Sequence, residues 1–352
     1  MYKMLYILQV LIKRIFERSC GMKKTILILT NKAGASVKLV IKHLKNMSEN
    51  FFVFDTSTFL ENKSITLSLN SGRMTGHIKD YSTNFIENTK LVDWENVKSV
   101  WHRKPALPRA PNNLKGGYGK FIENESRATL WTLYNTLDAR WVNSPIFSSK
   151  LIEDNKLFQL KKARFVGLTT PDTIISNNQD DIVSFASKYN YVAIKLIYAS
   201  VFRKNNGELM FVYTNKINVK DILFRRKDIK LCPIMLQEYV HKKIELRITI
   251  IGKKIYTCAI HSQDNKLTMC DWRRYDFANV KHEICKLPED IELKLLKLME
   301  VLNIYYGAID MIVTPNDEYV FLEVNPNGEW VWIEELTNMP ISESIAEFLR
   351  VK

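Results

Sequence analysis

Gly307-Ala308-Ile309-Asp310-Met311-Ile312-Val313, then Thr314-Pro315-Asn316-Asp317-Glu318, then Tyr319-Val320-Phe321-Leu322-Glu323-Val324-Asn325-Pro326-Asn327, is the stretch around which the rest of this chain is organised. It contains two apolar strands joined by a turn-rich segment, the pattern of a hairpin. A turn centred on Asn316-Asp317 sets Asp310 opposite Glu323. Directly opposed side chains lie roughly 4.5–5.5 Å apart at Cβ, where like charges destabilise. Asn325, two residues on, emerges on the face of Glu323. Two carboxylates and an amide converging from an apolar hairpin call for a cation, and oxygen ligands select a hard one such as Mg²⁺. The plainer alternative is two strands with unrelated solvent-facing acids. Pro326-Asn327-Gly328 weighs against it, because it forces an abrupt turn beside the cluster.

Working outward, 352 residues suffice for two or three compact units. A hydrophobic content of 46% with 25% charged residues places the chain among ordinary soluble proteins. Cys20, Cys232, Cys258, Cys270 and Cys285 show no paired CxxC spacing. That speaks against a zinc ribbon or disulfide framework and fits a reducing cytoplasm. No run approaches the ~20 apolar residues of a membrane span. The formal charge of +13 is dispersed along the chain, apart from clusters such as Arg225-Arg226-Lys227. A dispersed excess is mostly a solvated surface; among the partners it admits, which include nucleic acid, anionic membrane and nucleotide phosphates, an acidic polypeptide best matches the other features of the chain.

Residues 1–21 read as an extension, because Met22-Lys23-Lys24 immediately precedes a strand-like run and marks an expected translation start. A short amphipathic membrane helix is the rival reading. Thr25–Thr30, Phe51–Phe54 and Val97–Trp101 read as strands around a helical Val37–Leu44, giving an open α/β domain over 22–115. Lys104 to Gly119 holds three prolines and three glycines and reads as a linker. A central unit is expected over 116–236 and a C-terminal one over 237–352. Their signals are helices at Glu123–Leu137, Glu153–Phe165 and Glu289–Leu302, the last with a stripe of Ile291, Leu295, Leu298 and Leu302. Strands are expected at Tyr191–Ile197, Glu208–Tyr213, Ile234–Val240 and Leu246–Ile251.

Lys195 is a lysine inside an apolar strand, costly unless its ammonium meets an anion such as a nucleotide phosphate. Snorkelling to the strand edge is the bland alternative. Lys156 is a weaker candidate on its helix. The Gln237-Glu238-Tyr239-Val240 strand end offers backbone groups that can pair with a purine. Glu245 can accept ribose hydroxyls, and Arg247, on the same face, suits phosphate or acyl-phosphate. Seen alone, those two residues are more often a surface ion pair. Asp271 and Arg273, in Asp271-Trp272-Arg273-Arg274, can orient and clamp a substrate carboxylate, and Arg103 is a similar candidate at a strand end. His102 and His261 can serve as acid–base groups, but no triad accompanies them.

In this order the pieces resemble the ATP-grasp ligases, and within them the microviridin-type peptide maturases that make graspetides. The resemblance rests on Asn155-Lys156, Lys195, Gln237–Val240, Glu245-Leu246-Arg247 and the Asp310…Glu323-Val324-Asn325 set, and it spans residues 24 to 350. It implies an α/β (α+β) chain with an N-terminal pre-ATP-grasp domain and two α+β subdomains sandwiching ATP. It further implies Lys156 and Lys195 on ATP phosphates, Gln237–Val240 on adenine, and Asp310, Glu323 and Asn325 on two Mg²⁺ ions, Asn325 also meeting ATP. Lys195 and Arg247 would act in catalysis, with Asp271 and Arg273 reading an acidic residue of a ribosomal precursor peptide that carries a leader. A homodimer is left open; no nucleic acid or membrane partner is expected. Two departures stand out. Ile197-Tyr198-Ala199-Ser200 lacks the glycines of many ATP-grasp phosphate loops, and His261 stands where relatives often show an acid.

Overall fold

A computed structural model of the chain describes residues 24–31, 33–82, 90–114, 116–145, 150–198, 201–265, 268–272 and 280–351. The extension at 1–21 lies outside them. The chain forms two compact units, 1–142 with 345–352, and 143–344.

The first unit is built on β1 (Thr25–Thr30), β2 (Asn50–Asp55), β3 (Lys63–Asn70), β4 (Arg73–Asp80), β5 (Leu91–Asp93), β6 (Val97–Arg103) and β7 (Arg140–Val142). Strands β2-β1-β6-β7 make a parallel sheet, and β3-β4-β5 an antiparallel one. All six residues of β1 are buried, as an uninterrupted apolar run between two covered faces requires. The Gly117–Thr136 helix adds Leu130 and Leu133 to the core around Leu27, Leu29, Phe52 and Phe54. This unit therefore runs past residue 115, where the sequence suggested a division. The β3–β4 hairpin was not anticipated, although Ile65, Leu67 and Leu69 alternate with polar residues. Its turn places Ser71 and Gly72 at φ 49° and 78°, the two positive values that a tight hairpin turn demands.

The second unit continues with β8 (Thr173–Ser176), β9 (Tyr191–Lys195), β10 (Val201–Arg203), β11 (Leu209–Phe211), β12 (Asn215–Asn218), β13 (Ile234–Glu238), β14 (Ile244–Ile251), β15 (Lys254–Ile260), β16 (His282–Ile284), β17 (Tyr306–Val313) and β18 (Tyr319–Asn325). It holds a four-stranded sheet, β12-β9-β13-β8, a five-stranded sheet, β16-β15-β14-β17-β18, and the β10–β11 hairpin. Both larger sheets are antiparallel. The Glu289–Val301 helix and its capping Leu302 bury the expected stripe of Ile291, Leu295, Leu298 and Leu302 in the core that also holds Ile248 of β14 and Ile309 of β17.

Three local differences from the sequence expectation bear on the site. The helix expected over 153–165 begins only at Lys156 and runs to Phe165, while Glu153 ends a separate short helix, Lys150–Glu153. Asn155 breaks it by capping: its side chain accepts the Phe158 N–H at 3.1 Å. Lys156 is thereby the first helical residue. Strand β9 stops at Lys195 rather than running to Ile197, so the lysine stands at a strand end. In the β17–β18 hairpin, Val313 pairs with Tyr319 and Met311 with Phe321; a bulge then shifts the register, and Asp310 meets Glu323. The expected opposition holds, but a bulge at Leu322 creates it. Among the described residues no helix is long and apolar enough to cross a membrane.

Candidate active site

Strand β17 supplies a charged position in an otherwise buried strand, and its neighbours answer it. Arg247 on β14, Asp310 on β17 and Glu323 on β18 are successive register partners, so they form one row across the sheet. The Arg247 Nη1 donates to Asp310 Oδ1 at 2.9 Å and Nη2 to the Glu329 carbonyl at 3.2 Å. Its guanidinium carbon lies 5.7 Å from the Trp272 ring centroid. Burial alone would lower the guanidinium pKa; the adjoining Asp310 charge outweighs that and holds it above the usual value. Gly328 makes room for this arrangement. A Cβ there would strike the Ala308 Cβ and come 2.8 Å from Arg247 Nη2.

At the other end of the row, Lys156 Nζ donates to Glu323 Oε2 at 2.6 Å. The helix carrying Lys156 is tied to β18 by a buried glutamine. Strand β18 is an edge, so its outward N–H groups need partners from elsewhere. Gln159 Oε1 accepts the Val324 N–H at 2.8 Å, and its Nε2 donates to the Ile152 carbonyl at 2.6 Å. The turn after β18 is fixed by Asn143, whose Nδ2 donates to the Tyr306 and Pro326 carbonyls at 2.8 and 3.0 Å.

Between the two large sheets lies a cavity of about 480 Å³. Lys156, Lys195, Gln237, Glu238, Tyr239, Val240, Glu245, Asp271, Asp310, Glu323 and Asn325 all line it. The volume falls within the roughly 300–1,000 Å³ of small-molecule sites. Gln237 is buried, and its Nε2 donates to Thr173 Oγ1 at 2.9 Å. Glu245 is buried with Lys242 Nζ 2.8 Å from its Oε1. Burial raises its pKa; attraction to Lys242 works the other way, and Asp271 adds to the rise. Asp271 is buried too, and its Oδ2 accepts the Thr214 N–H at 2.9 Å.

Arg247, Arg103 and His261 are not among the residues that line the cavity. Arg247 sits behind Asp310, because its fork is taken up by that carboxylate and the Glu329 carbonyl. Arg103 ends β6 in the first unit, where its Nη2 donates to Ser36 Oγ at 3.5 Å. Arg273 lies outside the described residues, as do Ala199 and Ser200. His261 pairs through Nε2 with Glu283 Oε1 at 2.7 Å and is absent from the cavity lining.

A family model described as the MvdD pre-ATP-grasp domain matches residues 25–147, and the RimK-like ATP-grasp domain matches 150–349. The chain belongs to the RimK-like ATP-grasp family. It is an ATP-grasp ligase with an N-terminal pre-ATP-grasp domain, as the sequence resemblance implied. The crystal structure of macrocyclase MdnC bound with precursor peptide MdnA, from Microcystis aeruginosa, matches with a TM-score of 0.77 and 31% identity. That match covers 92% of this chain and 99% of the other. A Chryseobacterium gregarium RiPP-associated ATP-grasp ligase in complex with ADP, leader and core peptide matches at TM-score 0.82 and 29% identity, covering 93% and 96%. The alpha-aminoadipate–LysW ligase LysX of Sulfurisphaera tokodaii is 26% identical over 277 residues, 72% of this chain and 93% of the relative.

The donor set of this ATP-grasp ligase suits magnesium. Among the described residues no three His, Cys, Asp or Glu side chains gather as a metal group. Asp310, Glu323 and the Asn325 amide are neighbours on the cavity lining instead. A closed protein cage would need more ligands; Mg²⁺ characteristically takes one or two carboxylates and completes its shell with water and substrate phosphates.

Sequence reasoning passed over Gln159 and Lys242. Gln159 stands one helical turn after Lys156, a spacing that places both on one face and could have drawn notice. Lys242 sits in His241-Lys242-Lys243, which looks like a solvated basic run.

Proposed function

We propose that this ligase binds Mg²⁺ and ATP in the cavity between its two large sheets and cyclises a ribosomal precursor peptide. It would phosphorylate Asp or Glu side chains and join them to Ser or Thr hydroxyls as esters, or to Lys amines as amides. The observation that carries the reading is the row of Arg247, Asp310 and Glu323 meeting Lys156 at the cavity wall. The two relatives described as bound to peptides, each covering more than nine-tenths of this chain, support the substrate class.

In this reading Lys156 and Lys195 hold phosphate oxygens, the Glu238–Val240 backbone pairs with adenine, and Glu245 accepts the ribose. Asp310, Glu323 and Asn325 would hold magnesium, which supplies charge neutralisation to the phosphates. Arg247 fixes Asp310 from behind. Phosphoryl transfer is mostly positioning and charge stabilisation, so lysines and acids suffice and no covalent nucleophile is required. A carboxylate oxygen of the peptide attacks the γ-phosphorus and ADP departs. The hydroxyl or amine then attacks the acyl carbon, loses its proton, and inorganic phosphate departs. Each ring thus costs the peptide one water. Asp271, on the cavity lining, would orient the incoming acidic side chain. Holding both reacting groups of one peptide together can contribute roughly 7–11 kcal/mol.

The test is co-expression with the short peptide of an adjoining reading frame, rich in Thr, Ser or Lys and acidic near its end. Mass spectrometry should show the loss of one water per ring; an unchanged mass with ATP consumed would refute the reading. The LysX match favours a second reading, a carboxylate–amine ligase of another substrate, such as a glutamate-adding or dipeptide ligase. Phosphate release with amino acids and no peptide would establish that one.

A further inference from the structure

We propose that Lys156 is an exchangeable counter-ion for the metal site: it holds Glu323 in the nucleotide-free protein and leaves it when phosphates arrive. Divalent ion and nucleotide then enter together, and neither binds well alone. The inference rests on the reading of Asp310, Glu323 and Asn325 as the metal set and concerns how that set is kept before ligands come.

The row contains two cation–carboxylate pairs of different character. Arg247 and Asp310 have side chains 7% and 13% exposed, and the guanidinium is fixed by Glu329 and by the space over Gly328. It has nowhere to go. Lys156 and Glu323 are 17% and 21% exposed, and both line the cavity. Lysine carries its charge on a flexible four-carbon stem, unlike the planar fork of arginine. The backbone beneath that stem does not move with it, since the Asn155 cap and the Gln159 bond to Val324 fix the first turn of the helix. The device is an immobile base with a mobile tip.

Charge accounting sets the direction. Arg247 and Lys156 balance Asp310 and Glu323, so the four side chains together carry no net formal charge. A divalent ion arriving alone must displace the ammonium from Glu323 Oε2 or sit against it, and like charges in a partly buried wall repel strongly. A polyphosphate supplies the anions that accept both the ammonium and the metal. By linkage, the factor by which nucleotide tightens metal equals the factor by which metal tightens nucleotide.

The experiment titrates Mn²⁺ into the full chain, followed by electron paramagnetic resonance, first without nucleotide and then with ADP. The wild type should bind Mn²⁺ weakly alone and at least tenfold more tightly with ADP. Lys156→Met should bind Mn²⁺ alone at least tenfold more tightly than the wild type, and its gain from ADP should shrink. Lys156→Arg, which keeps the charge, should still bind Mn²⁺ weakly alone; adding Glu323→Gln to Lys156→Met should abolish the gain. Lys156→Gln repeats the test should the methionine variant misfold. Unchanged or weaker Mn²⁺ binding by folded Lys156→Met or Lys156→Gln overturns the proposal while leaving the metal assignment standing. Absence of Mn²⁺ binding by the wild type even with ADP sinks both.

Discussion

The two sheets that face the cavity differ in how firmly they are held. Strands β14 and β17 of the five-stranded sheet are buried along nearly their whole length. They rest on a continuous core that includes Ile248, Ile309, Phe321, Leu295 and Leu298. Strands β8 and β12 of the four-stranded sheet have no fully buried residue, and the core beneath that sheet is a smaller set around Ile182, Val192, Ile222 and Leu236. The carboxylates lie on the firm sheet, and Lys195 and the Glu238–Val240 backbone lie on or beside the lighter one. The carboxylates proposed to hold magnesium are built on the larger core, and Lys195 and the backbone proposed to meet the nucleotide base lie on or beside the smaller one.

The sharpest way to break that contrast is to remove each carboxylate in turn. Asp310→Ala strands a buried guanidinium, so it should lower stability by about 3–5 kcal/mol and abolish turnover. Glu323→Ala should cut turnover at least about a hundredfold, of the order seen for lost charge stabilisation. It should cost far less stability, because Lys156 is partly open to solvent. Urea unfolding beside phosphate release separates the two, and equal stability losses would refute the distinction.

Gly328→Ala probes the same sheet by overpacking. The new Cβ must displace Arg247 or Ala308, at about 1–3 kcal/mol. An unchanged urea midpoint would mean the guanidinium is not confined there. Gln159→Leu leaves the Val324 N–H and the Ile152 carbonyl without their present partner, for about 1–2 kcal/mol. Amide exchange at Val324 should accelerate; protection equal to the wild type would show that the glutamine does not tie helix to edge strand. The smallest stability effect belongs to the lighter sheet. Lys195→Ala should change stability by less than about 0.5 kcal/mol while weakening ATP binding. A large loss of stability there would erase the contrast.

These residues also mark what could be read from the chain. That Asp310 and Glu323 converge from one apolar hairpin was legible in its strand alternation and turn signal. The bulge at Leu322 was not, since nothing local distinguishes it from its neighbours. Lys195 was found because a charge in an apolar strand is conspicuous, yet its place at the strand's end depends on where β9 stops pairing with β13. Arg247 was noticed as a phosphate ligand, whereas its engagement with Asp310 depends on β14 and β17 being neighbours, a pairing across 63 positions. Gln159 escaped for the same reason, with its partner 165 residues away. The β3–β4 hairpin was legible and missed, its alternation and Ser71-Gly72 turn lying in plain sight.

The central claim is that an acid side chain of the peptide becomes an acyl-phosphate in this cavity. It is tested most directly by labelling that carboxylate with oxygen-18 and supplying ATP and Mg²⁺. Transfer of one labelled oxygen into the released inorganic phosphate for each ring formed is the result expected here. Ring formation with unlabelled phosphate would contradict it.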